Sequence, residues 1–219
     1  FAGSLLSHRM PWLHGDLLAA HLALNLAGWF GGAIVGTLHT FYPSLTQTRL
    51  RYPRLQTFAF AAWTAGVGAL AVGYAWNLSA LAVAGWLALC LGALALLVNV
   101  VACRWRAPGP LSLAARVVGI AQPFLLAALV VASVAAIQHG PAHALVGSTR
   151  VAVGTLLVVG WIGLTVLGSL LHLLAVVVRV RGGFSARMPT PHPPFDLALA
   201  LLAALAITAL ALAQGAGLG

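Results

Sequence analysis

Apolar residues in this chain neither alternate nor gather into narrow stripes; they run on without interruption. Six such runs fall near 17–42, 57–76, 78–103, 111–138, 149–180 and 195–214. Each is close to the roughly 20 residues that a helix needs to cross a bilayer. Turn chemistry separates them: Pro43, the Asn77-Leu78-Ser79 turn, Pro108-Gly109-Pro110, His139-Gly140-Pro141, and a proline-rich stretch from Pro189 to Pro194. A membrane β-barrel would alternate apolar and polar positions along each strand, and these runs do not. The pattern predicts an all-α, polytopic transmembrane bundle of about six helices, one domain over 1–219.

Composition agrees. The chain of 219 residues is 62% apolar and 6% charged, whereas a soluble domain carries about 25% charged residues. No cleavable signal-peptide pattern precedes the first run. The formal net charge of +9 would point to nucleic acid in a soluble protein. Here the eleven basic residues are all arginine and lie in short connections between apolar runs, so topology accounts for them and nucleic acid is excluded as a partner.

The arginines also orient the bundle. Arg49, Arg51 and Arg54 follow the first run, Arg104, Arg106 and Arg116 surround the third connection, and Arg179, Arg181 and Arg187 follow the fifth. With six spans, all nine share one side and only Arg9 and Arg150 lie on the other. The positive-inside rule makes the nine-arginine side cytoplasmic. The expectation is a multi-pass plasma-membrane protein with both termini extracytoplasmic. Asp16 and Asp196, the only acidic residues, stand at helix starts, where a carboxylate meets the positive end of the helix dipole. Cys90 and Cys103 fall in one run, about 20 Å apart at ~1.5 Å per residue, too far for a disulfide.

Two runs resemble each other. Gly28-Trp29 matches Gly160-Trp161, and Gly36-Thr37-Leu38 matches Gly168-Ser169-Leu170. A histidine follows in each, His39 and His172, displaced by one position, and arginines close both. The match suggests an internal repeat relating helices 1 and 5, a common device in membrane folds. At 100° per residue His21 and His39 lie five whole turns apart on one face, about 27 Å along the axis, so they serve two stations and not one metal ion. Gly28, Gly32 and Gly36 between them form a double GxxxG pattern that lets a helix approach closely or leaves room for a flat macrocycle.

The histidines are the candidate chemistry. Helices 1 and 5 run parallel, so His39 and His172 lie at similar depth toward the arginine side, and two neutral imidazoles facing each other across two helices hold a b-type haem. The bland alternative for each is an interfacial histidine bonded to a carbonyl or water. The other side gathers His8, His14, His21, His139 and His143. There His21 with His143 or His14 forms a second axial pair, or His14, His21, His139 and His143 supply imidazoles to copper. An ionisable group inside a span is costly, which favours His21 as functional, with Asn25 one turn on as its orienting partner. No c-type haem motif, Walker or dinucleotide fingerprint, nucleophile triad or paired intramembrane carboxylates occur.

The run His21-x-x-x-Asn25-Leu26-x-Gly28-Trp29, followed by Gly36-Thr37, Tyr42-Pro43 and Thr48-Arg49, resembles the polytopic membrane part of actinobacterial multicopper oxidases and copper nitrite-reductase-like proteins. More distantly it is similar to haem–copper membrane proteins. In that family the helix reads His-x-His-Leu-Asn-Leu-x-Gly-Trp; here Ala23 stands at the second histidine. The resemblance covers about thirty residues. It implies His21 as a metal or haem ligand and an extracytoplasmic copper domain close by.

The expectation drawn together is an integral membrane module with one or two haem b groups, or copper. It passes electrons between quinol and an extracytoplasmic cupredoxin or cytochrome, as the redox subunit or membrane domain of an oxidoreductase, within a complex or homo-oligomer. A non-redox membrane anchor or assembly subunit, and a copper-handling membrane protein, are the competing readings.

Overall fold

Helix ends in this chain fall where capping chemistry stands. A computed structural model describes residues 16–181 and 193–215. They form α1 (Leu17–Thr46), α2 (Pro53–Ala75), α3 (Ser79–Trp105), α4 (Leu113–His139), a 3₁₀ turn (Pro141–Leu145), α5 (Gly147–Arg181) and α6 (Pro193–Gly215). Asp16 caps α1, its carboxylate accepting from the Ala19 N–H at 2.9 Å, and Ser112 caps α4 by accepting from Ala115 N–H. Gln47 and Asn77 take left-handed φ of 54°. Behind them Thr48 N–H reaches Pro43 O and Leu78 N–H reaches Gly73 O, the 6→1 bonds that close a helix and turn the chain back.

Five of these helices are long and apolar enough to cross a membrane, and α6 carries a shorter apolar stretch, Leu202–Ala213. The chain is an all-α helical bundle. Two bounds differ from the sequence reading. α1 continues through Pro43 to Thr46, because a proline one turn from a helix end removes a single backbone bond and the chain tolerates it there. α2 begins at Pro53, the first helical position, where proline's missing N–H has no bond to lose.

A larger difference lies inside α1 and α5. Each carries nine residues of π-helix, Ala23–Gly31 and Thr155–Gly163. The two segments hold their Gly-Trp pair at the same sixth and seventh positions and both end on glycine. Wider π turns, closed by i→i+5 bonds, rotate less per residue than α turns. Over nine residues the lag accumulates to on the order of half a turn. The single-face argument for His21 and His39 therefore fails: His21 is exposed and His39 is buried.

The tightest packing joins α2 to α3. Ala59, Gly66 and Gly73 recur every seven residues on α2 and meet Gly92, Gly85 and Ala82 on α3. A Cβ on Gly73 would lie 2.6 Å from Ala82 N, and one on Gly85 2.8 Å from Leu70 N. Small residues at this spacing let the two backbones touch, which is how helices gain attraction in lipid. α4 packs against α3 and α5; α1 lies on α2 in its first half and also meets α3 in its second; α6 covers α5 and α4. Antiparallel succession puts Arg49, Arg51, Arg54, Arg104, Arg106, Arg116, Arg179 and Arg181 at one end, the arginine end. Asp16, His139, His143 and Arg150 lie at the other, the histidine end. Aliphatic side chains such as Val166, Leu170, Leu174 and Val177 stand outward on α5, a surface suited to lipid.

The glycine stripe of α1 does not serve as one packing face. Gly28 meets Val67, but a Cβ on Gly32 or Gly36 would meet nothing within 4 Å. The matching positions on α5 are filled: Gly160 lies against Phe124 and Gly168 against Val118.

Candidate functional site

Between the two π segments, in the half of the bundle nearer the histidine end, lies a chamber of about 240 Å³. α1 supplies Leu26 and Ala27, α5 supplies Leu157 and Trp161, and Trp63 of α2 and Trp86 of α3 close the sides. Its volume exceeds the ~150 Å³ apolar cavity that suffices to hold benzene.

The polar atoms of these walls are already bonded within the protein. Trp63 Nε1 donates to the Ala27 carbonyl at 2.8 Å, inside the first π segment. Trp86 Nε1 donates to Tyr74 Oη at 3.0 Å, and that hydroxyl donates to Pro141 O at 2.8 Å. Trp161 Nε1 donates to Gln122 Oε1 at 3.0 Å, while Gln122 Nε2 donates to Val118 O. Trp63 and Trp161 meet with ring centroids 6.0 Å apart. The chamber thus presents carbon on nearly every side. Arg150, in the first turns of α5, is the one charged residue lining it, and no carboxylate among the described side chains pairs with its guanidinium.

The histidines singled out from the sequence lie elsewhere. His21 is exposed, with the Asn25 amide bonding to its carbonyl at 2.9 Å and 3.3 Å from either ring nitrogen. Asn25 thus stands where an orienting partner is expected. His39 Nδ1 donates to Val35 O at 2.8 Å, and its Nε2 is buried with no partner; Tyr42 Oη is likewise buried and unpartnered. His172 is half-buried and its ring packs edge-on against Phe41, centroids 5.6 Å apart. His139 and His143 are exposed neighbours, ring centroids 5.7 Å apart, at the rim of a second pocket that also holds Asp16. His14 and His8 lie outside the described residues.

A haem between His39 and His172 can be tested against these positions. The free Nε2 of His39 is the right kind of donor atom. Its ring, however, lines a crevice with Leu96, Asn99 and Cys103 of α3 that is too narrow for a water molecule. Phe41, two residues on and so nearly opposite on the helix, is the ring that meets His172. The two imidazoles therefore face different neighbours, and the residues as placed do not frame a macrocycle. Among the described residues no group of three or more His, Cys, Asp or Glu side chains is placed to hold a metal ion.

No protein-family model, curated protein or solved structure matches the chain.

The sequence reading missed the chamber because its walls are tryptophan, leucine and alanine, which read as ordinary span residues. Two signals pointed there: the repeated Gly-Trp pair, which marks both π segments, and Arg150, one of only two arginines expected on the histidine side.

Proposed function

We propose that this is a multi-pass membrane protein that takes a lipid-soluble small molecule from the bilayer into the chamber between α1 and α5. The observation that carries this reading is the chamber itself: apolar walls whose indole and phenol groups are bonded internally, with one guanidinium at the edge. Such a site favours a molecule with an apolar body and a single polar or acidic end. Pockets of this kind bind largely through apolar contact, with a few polar groups fixing orientation. In this reading the arginine end faces the cytoplasm and the membrane is the plasma membrane.

Ala128, fully buried on α4 and lining the chamber, provides the test. Ala128→Phe should fill the space. Organic extracts of the purified protein, compared by mass spectrometry, should contain a molecule that the folded variant lacks. Identical extracts from both proteins would remove the reading.

A second reading is favoured by the His139–His143 pair at the same end. Here the ligand is quinol, and the chain is a redox module that hands electrons to an extracytoplasmic cupredoxin or cytochrome. Two neighbouring imidazoles suit copper. Metal analysis of the purified protein against His139→Ala/His143→Ala should show copper lost, and an absorption spectrum of the same sample reports any haem b. A preparation without copper or a Soret band would eliminate this reading and leave the first intact.

A further inference from the structure

A groove at the arginine end points to a second ligand class, independent of the chamber. On the outer face of α3, Leu94, Leu97, Val98 and Val101 form an apolar channel leading to Trp105 and Arg106. Beside it stand Arg51 and Tyr52, from the connection between α1 and α2, and the space between measures about 530 Å³. This connection is fixed in place. Asn99, a buried polar residue of α3, accepts from Tyr52 N–H at 3.2 Å and donates to Tyr52 O at 3.3 Å. The Arg51 guanidinium lies 5.3 Å from the centre of the Tyr52 ring. Trp105 is 83% exposed, which suits an indole at the membrane interface.

Among the described side chains no carboxylate pairs with either guanidinium. Asp16, the one acidic side chain among those described, lies at the opposite end. Two guanidiniums therefore stand at headgroup level above an apolar channel of acyl-chain character. Basic pockets beside membrane helices recognise anionic headgroups in this way, and guanidinium binds phosphate oxygens in a fixed fork.

We propose that this groove holds an anionic phospholipid, with its phosphate between Arg51 and Arg106 and an acyl chain along Leu94, Leu97 and Val98. Native mass spectrometry on the full chain, loaded with phosphatidylglycerol or phosphatidylcholine, tests it. Phosphatidylglycerol should be retained in preference to phosphatidylcholine. Arg51→Gln/Arg106→Gln should weaken that retention on the order of fivefold for each arginine removed. Arg179→Gln/Arg181→Gln, which removes the same charge from α5, should leave it unchanged. Val98→Trp, an outward-facing change that keeps both arginines, should also displace the lipid. Equal losses in both arginine pairs would reduce the effect to general surface charge and overturn the proposal. So would equal retention of the two lipids, or full retention by Val98→Trp.

Discussion

α1 and α5 share a nine-residue π segment, a Gly-Trp pair at the same positions within it, and a glycine five residues beyond its end. Yet Trp29 is 76% exposed and Trp161 is 0% exposed. Gly36 faces open space, while its counterpart Gly168 is pressed against Val118. The backbone interruption belongs to the segment; the burial belongs to the neighbour. α5 lies along α4, which offers Gln122 to the indole and Phe124 and Val118 to the glycines. Around Trp29 and Gly36, α1 stands at the margin of the bundle, and nothing comparable among the described residues covers it.

The largest expected effect follows from the glycines. Gly168→Val would force side-chain atoms into Val118, where even a Cβ would sit 2.5 Å from the valine methyl. Overpacking of this kind costs about 1–3 kcal/mol, sometimes more. Gly36→Val enters open space and should stay within about 0.5 kcal/mol, as exposed substitutions usually do. Unfolding of the two variants in the same detergent gives the comparison. Equal losses would mean that α1 has a neighbour at Gly36 after all.

What could be read from sequence follows the same division. Six helices and the common side of the arginines were legible because apolar length and turn residues are local. The kinship of α1 and α5 was legible through Gly28-Trp29 and Gly160-Trp161. Their π winding was not, since helical periodicity assumes a constant rotation per residue; that assumption put His21 and His39 on one face. Nor was the partner of His172 legible. Depth along a helix can be counted, but the direction in which His39 points depends on whether α3 or α5 packs against it. The structure places α3 there.

A smaller effect separates the tryptophans. Trp161→Phe keeps most of the ring but leaves Gln122 Oε1 without its donor inside the bundle. Hydrogen bonds between membrane helices average about 0.6 kcal/mol and reach about 1.7, so a loss in that range is expected. Trp29→Phe should be close to neutral. The double variant Trp161→Phe/Gln122→Leu sharpens the point, because removing both partners of a buried bond costs less than stranding one. If the double variant is no more stable than Trp161→Phe alone, the stranded amide is not the cause.

The smallest expected change concerns the histidines that first drew attention to these helices. His39→Phe removes an imidazole whose Nε2 is buried without a partner. The ring's other nitrogen bonds only to Val35 O, a carbonyl of its own helix one turn back. Losing that bond need not strand the carbonyl, which can still accept from the backbone, and an unpaired buried nitrogen disappears. The variant should therefore match the parent within about 0.5 kcal/mol or exceed it, given that phenylalanine approximates the volume. His172→Phe, against Phe41 on a half-buried face, should be equally mild. A haem held by these two residues predicts the opposite pattern. Both variants would then lose stability together, because a bound group stabilises only the folded state, and both would lose visible absorbance. Melting curves and absorption spectra recorded on the same samples decide between a pair of separately packed rings and a shared ligand.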